Sequence, residues 1–259
     1  MLVGSATCVV RERATVQCVN GSVVRTTDGM ARPWRIRSWP NDPDVAHLVF
    51  VDHHRIPTAT SLAEAVAHAR RAGSRSIRTS ALFPAAADAV SAAGFRTIDR
   101  LALLQLELDD STLDALGPTV HRVRTLQPWM HQRAAVVDQA AFGLLWGNDA
   151  AGLRDVRRAT PVHRARMVAA GRRLAGFALS GAAADCGYLQ RIAVAPEHRR
   201  HGIARDLVVD AIRWMCTQRR SRCLVNTGVD NDAALTLYSS LGFERLTDVL
   251  TIAERHLNE

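Results

Sequence analysis

Arg199, Arg200, Gly202 and Ala204 stand close together, just after a β-branched run that stops at Pro196 and just before an amphipathic stretch. A helix start leaves four backbone N–H groups unpaired and carries partial positive charge. A strand that ends beside such a start points those donors into a crevice, where a phosphate binds readily. Close approach of the backbone favours Gly202 and the small Ala204. Arg199 and Arg200 add long-range attraction, and a guanidinium can make a forked contact. "RRHGIA" therefore reads as a pyrophosphate cradle. The same residues also fit a plain strand-to-helix turn with solvated arginines, and so short a pattern does not choose between the two.

The elements that must position this turn lie in the second half of the chain. A strand is expected at 120–126, a helix near 129–143 that buries Val136, Val137 and Ala140, and a short helix at 149–158. Strands follow at 162–169, 173–180 and 186–195. A helix spans 202–218, where Ile203, Leu207, Val208, Ala211, Ile212 and Met215 recur at three-and-four spacing and mark one buried face. A strand at 223–227, a helix at 231–241 closed by Gly242, and a strand at 243–253 complete a mixed α/β sheet. Gly242 suits the left-handed position that ends a helix.

The polar segment "DDSTLDALGPT" separates this half from the first, with a boundary near residue 115. The first half echoes the second: "AAADAVSAAGFRTIDRLALLQL" parallels "DAALTLYSSLGFERLTDVLTIA". Aligning Phe95 with Phe243 sets Val90 opposite Tyr238 and Phe83 opposite Asn231. Apolar positions survive in the echo and polar ones do not, a pattern that two unrelated helix–strand units can also produce.

Composition narrows the chemistry. The chain has 259 residues with a formal charge of +8, and all 33 of its Lys and Arg residues are arginine. Without lysine there is no phosphate-loop lysine, no pyridoxal Schiff base and no lysine nucleophile. The five cysteines, Cys8, Cys18, Cys186, Cys216 and Cys223, show no C-x-x-C spacing and read as free thiols. The histidine pairs His53/His54 and His198/His201 lack metal-ligand spacing, so no metal is expected. No apolar run is long enough to span a membrane, and the N-terminus has no signal-peptide pattern; a cytoplasmic protein is expected. No nucleic-acid-binding motif accompanies the basic charge, and neither a nucleic-acid nor a membrane partner is expected.

With its flanks included, the turn becomes specific. "VAPEHRRHGIA", then an amphipathic helix, a strand and "NDAALTLYSSLGF", resembles the GNAT superfamily of N-acetyltransferases over roughly residues 120–255. The family's cofactor loop, Q/R-x-x-G-x-G/A, matches Arg199 to Ala204. Its later motif, N-x-x-A-x-x-L-Y-x-x-x-G-F, matches Asn231, Ala234, Leu237, Tyr238, Gly242 and Phe243.

The resemblance implies a mostly antiparallel mixed sheet with splayed central strands flanked by helices. It implies acetyl-CoA as cosubstrate, with its pantetheine along Ile192, Ala193 and Val194 and its pyrophosphate on Arg199, Arg200, His201, Gly202, Ile203, Ala204 and Arg205. Asn231 would also contact it. Transfer would be direct, to a primary amine of a small molecule or, alternatively, to a protein N-terminus. Tyr238, two helical turns beyond Asn231, is the expected acid for the leaving thiolate, since a phenol can supply that proton; its other reading is a core tyrosine. Many members carry a glutamate where this chain has Tyr188, so the base is open among Asp185, His163 and a water relay. That departure also admits a catalytically silent, CoA-binding regulatory module. The two halves, 1–115 and 116–259, are expected to be a degenerate GNAT-like domain without the loop and a catalytic one, a layout similar to that of mycothiol synthase. The first would wall or buttress the acceptor site. Trp34, Trp39, Trp129 and Trp146 are expected to pack, and Cys186, Cys216 and Cys223 to be inert.

Overall fold

A computed structural model describes residues 32–52 and 55–257; Cys8, Cys18, His53 and His54 lie outside them. In chain order the elements are β1 (Trp34–Trp39), β2 (Asp42–Phe50), α1 (Ala59–Arg71), β3 (Ser76–Thr79), α2 (Pro84–Ala92), β4 (Arg96–Glu107) and α3 (Asp110–Ala115). The second half supplies β5 (Arg124–Thr125), α4 (His131–Trp146), α5 (Ala150–Arg157), β6 (Val162–Ala170), β7 (Arg173–Ala183), β8 (Cys186–Val194), α6 (Ile203–Thr217), β9 (Arg222–Gly228), α7 (Asp232–Ser240) and β10 (Glu244–His256).

All ten strands join one sheet in the order β1-β2-β3-β10-β4-β9-β8-β7-β6-β5. The pairs β2–β3 and β8–β9 are parallel, each across an intervening helix; the other paired neighbours are antiparallel. The order reads symmetrically outward from β10 and β4. Each half builds an antiparallel pair, a parallel crossover, a short helix and a long final strand. The final strands trade places: β4 lies between β9 and β10, and β10 lies between β3 and β4. The sheet thus runs unbroken across the junction near residue 115.

The echo in the sequence has a counterpart in backbone detail. Gly94 and Gly242 follow α2 and α7 with φ of 83° and 85°, values that favour glycine. The next residue closes each turn the same way: Phe95 N–H bonds Val90 C=O and Phe243 N–H bonds Tyr238 C=O. Val90 and Tyr238 are both buried.

The two parallel pairs differ. β2 and β3 pair along all four residues of β3, and Ser80 N–H to Leu48 C=O extends the ladder. β8 and β9 pair only from Cys186↔Arg222 to Tyr188↔Leu224 and then part. On one face of β6–β8, α4 and α5 cover Phe177, Leu179 and Ala193. On the other, α6 buries the six apolar residues that its spacing marks, against Ala178 and Leu189. A further cluster, with Trp39, Leu101, Leu103, Trp146, Tyr188 and Ile252, joins the two halves on the α4 face.

Three expectations are corrected. The strand at 120–126 shrinks to Arg124–Thr125, because the N–H groups of Val120 and His121 go to the Asp206 carboxylate instead of a neighbouring strand. Along α4, Val137 is buried but Val136 and Ala140 face solvent; Ala134, Ala135 and Asp138 complete the inward stripe. Trp34, Trp39 and Trp146 are buried, whereas Trp129, in the 3-10 turn before α4, is 77% exposed.

Candidate active site

The fork between β8 and β9 opens at Leu189, where β8 also changes register: Leu179 faces Arg191 and Ser180 faces Leu189, leaving Gln190 as the extra residue of a β-bulge. A bulge bends its strand and sharpens the local twist, which turns β8 away from β9. Past the fork, Ala195 N–H bonds Ala175 C=O on β7. Alternation then aims the backbone groups of Ile192 and Val194 at the open side, while Ala193 faces β7. β8 therefore offers an extended ligand an unpaired strand edge.

That edge leads into the turn. Pro196–His198 form a 3-10 turn, Arg200 adopts φ of 63° and Gly202 φ of 81°, and α6 starts at Ile203. The first bond at the start of α6 runs from Asp206 N–H to Gly202 C=O. Among the described residues, the N–H groups from Arg200 to Arg205 have no protein acceptor. A Cβ on Gly202 would meet nothing within 4 Å, so glycine serves here through its dihedral angle and leaves the approach to the amides clear. These are the features of an anion site at a helix start.

The expected side chains fall into different roles. Arg200 is exposed and has no partner among the described residues. Arg199 Nη2 donates to Ala141 C=O on α4, at 3.2 Å. His201 Nδ1 donates to Arg199 C=O at 2.8 Å. Arg205 spends its guanidinium on Leu116 and Pro118 C=O. Asn231 caps α7, accepting from Ala234 N–H and donating to Thr227 Oγ1. Tyr238 is 3% exposed beside Phe243, and burial pushes its phenol above the usual range. No described residue hydrogen-bonds its hydroxyl.

The structure does not bring the candidate bases to the fork. Asp185 lies in the β7–β8 turn, beyond the paired rows at the closed end, and pairs with Arg222 at 3.4 Å. His163 stands on β6 opposite Gly181, with Nδ1 on Thr160 C=O. Tyr188 occupies the last paired row before the fork and is buried. The thiols behave as expected: burial pushes Cys186 up to about 11 and raises Cys216 and Cys223.

Two acidic residues went unnoticed in the sequence. Asp138 and Arg191 form a buried ion pair, Nε to Oδ1 and Nη2 to Oδ2 both at 2.7 Å, and Arg191 also donates to Trp146 C=O. Asp206, in the first turn of α6, accepts from the backbone of Val120 and His121 and from the His121 ring. It straps the linker between the halves to the helix that bears the turn. In both cases the signal was a charged residue inside an otherwise apolar stripe.

Comparison with known proteins agrees with this geometry. Residues 131–243 match the Acetyltransferase (GNAT) family. A tandem GNAT protein from the clavulanic acid biosynthesis pathway superposes with a TM-score of 0.60 at 15% identity, over 83% of this chain and 75% of that one. A GCN5-related N-acetyltransferase from Sphaerobacter thermophilus gives 0.57 at 14% identity, over 91% and 80%. Both share the fold. N-alpha-acetyltransferase 30 from Saccharomyces cerevisiae is 42% identical over 60 residues, 23% of this chain and 34% of that protein. The match thus spans about a third of that relative's length. Among the described residues, no helix is long and apolar enough to cross a membrane.

Proposed function

We propose that the protein is an N-acetyltransferase that uses acetyl-CoA to acetylate a primary amine of a small molecule. One observation carries the reading: the unpaired edge at Ile192 and Val194 runs directly into the row of unpaired amides from Arg200 to Arg205. An extended amide chain fits the edge and a diphosphate fits the row. Acetyl-CoA, when bound, supplies an activated acyl thioester for direct attack by an amine. Ile192 and Val194 hold the pantetheine arm through backbone bonds. The amides around Gly202 hold the diphosphate, with Arg200 free to add a charge-assisted contact. Arg199, tied to Ala141, supports the turn against α4, and Asn231 acts by fixing the start of α7.

Tyr238 serves the leaving group. Its raised pKa keeps the phenol protonated throughout the physiological range, so it offers a developing thiolate a hydrogen bond in a site of low dielectric. No carboxylate base is assigned. An acceptor that arrives partly neutral, or a water that relays its proton, suits a fork without one.

Residues 1–115 act as a non-catalytic half. The fully zipped β2–β3 pair leaves no fork for a cofactor. The β1–β2 turn grips the end of α4 instead: Trp39 Nε1 donates to Leu145 C=O and Asn41 Nδ2 to Gly147 C=O, both at 2.8 Å. This wall favours a small acceptor. The similarity to N-alpha-acetyltransferase 30 supports a second reading, a protein N-terminus as acceptor.

The test is isothermal calorimetry with coenzyme A, followed by thiol release from acetyl-CoA against panels of small amines and of peptides. Micromolar binding that Gly202→Val abolishes, with turnover of small amines, is the expected result. Binding without turnover of any acceptor would make the protein a regulatory module. No affinity for coenzyme A would overturn the reading.

A further inference from the structure

Arg78, on β3, is 5% exposed. Its Nη2 lies 3.1 and 3.2 Å from the two carboxylate oxygens of Glu254, which fixes the guanidinium. The Trp39 ring lies 4.5 Å from its Cζ and the Trp146 ring 5.7 Å. Its Nε and Nη1 are buried and have no partner among the described residues. Two further polar atoms on the same sheet face share that condition: His47 Nε2, directly across from Arg78 in the register, and Ser80 Oγ, two residues along the chain.

Buried polar groups are nearly always hydrogen-bonded, and each exception needs a reason. Four such atoms on three neighbouring residues, all able to donate, lie on one sheet face where Arg78 packs against the touching rings of Trp39 and Trp146, and they form a site that lacks only an acceptor of hydrogen bonds. Burial comes first among the causes that hold His47 down to about 4, and the nearby Arg37 and Arg78 guanidiniums add to it, so two cations accompany the unpaired donors. The site adjoins the fork through Trp146, whose ring faces Arg78 and whose C=O accepts from Arg191 on β8, and it shares an apolar cluster with Tyr188.

We propose that Arg78, with Ser80 and His47, binds the carboxylate of the acceptor, so that the substrate is an amine that also carries a carboxylate group. The proposal rests on the acetyltransferase reading for the word "acceptor", but the site itself is tested without turnover. Full-length protein saturated with coenzyme A is titrated with N-acetylglycine, its methyl ester and inorganic phosphate, and the indole N–H signals of Trp39 and Trp146 are followed by NMR. The expected result is saturable movement of both signals by N-acetylglycine, with at least tenfold weaker binding of the ester and at least tenfold loss in Arg78→Met. Ser80→Ala and Arg78→Lys give the same comparison should Arg78→Met fail to fold. Equal binding of acid and ester, tighter binding of phosphate, no response of either signal, or unchanged affinity in the variants overturns the assignment. Coenzyme A affinity, measured on the same samples, shows separately whether the enzyme reading holds.

Discussion

Arg191 lays its guanidinium along both carboxylate oxygens of Asp138, two contacts of 2.7 Å, while its Cζ stands 3.7 Å from the centre of the Phe142 ring. Neither residue is more than 4% exposed. The pair spans the gap between α4 and the strand that forms one arm of the fork. Asn148 N–H adds a 2.6 Å bond to Asp138, so the turn after α4 joins the same network.

Removing one member strands the other charge in a dry interior. Asp138→Ala or Arg191→Met is expected to cost about 3–5 kcal/mol of stability, read from denaturant midpoints. The double variant Asp138→Leu/Arg191→Met should recover much of that loss. Additive losses in the double variant would show that the two side chains do not act as a unit.

Gly202→Ala places a Cβ at a φ of 81°. The left-handed conformation costs a non-glycine residue about 1–2 kcal/mol, a modest fraction of fold stability. Coenzyme A affinity should fall by at least tenfold, because the added methyl lies where the diphosphate approaches the amides. Calorimetry on a variant with near-native melting behaviour checks this; an unchanged Kd would place the diphosphate elsewhere.

Tyr238→Phe removes a hydroxyl that no described residue hydrogen-bonds, so stability should change little. Loss of a positioned proton donor costs roughly 10²-fold in rate. The expected pattern is a fall in kcat of that order with coenzyme A affinity retained. Equal kcat in both proteins would leave Tyr238 as a core residue.

His47, half-buried with its Nε2 out of contact with solvent, has its pKa lowered from 6.5 to about 4, chiefly by burial. Between those values the unfolded chain binds more protons than the folded one, so stability is lost as pH falls from 6.5 toward 4. Above 6.5 this residue contributes no pH dependence. At about 1.4 kcal/mol per pKa unit, the loss is roughly 3 kcal/mol at the acid end. His47→Gln should flatten the stability profile across that window, and a parallel slope in both proteins would assign the acid sensitivity to other groups.

Local pattern carried much of this protein into view. The stripe of α6 from Ile203 to Met215, the turn at Gly202 and the glycine stop at Gly242 follow from helical periodicity and from backbone angles that only some residues adopt readily. Both are properties of a few neighbouring residues, so one chain of letters displays them. The echo that aligns Phe95 with Phe243 was also legible, because duplicated apolar spacing produces the same helix–strand turn twice. Other features depend on which distant segments meet. That β4 enters between β9 and β10, that a bulge at Gln190 opens one parallel pair while the other stays zipped, that Asp138 finds Arg191 and that Arg78 settles against Trp39 and Trp146 were decided only in three dimensions. Strand partners and buried ion pairs are selected by the combined packing of the whole core, and no residue's own type encodes the identity of its distant neighbour.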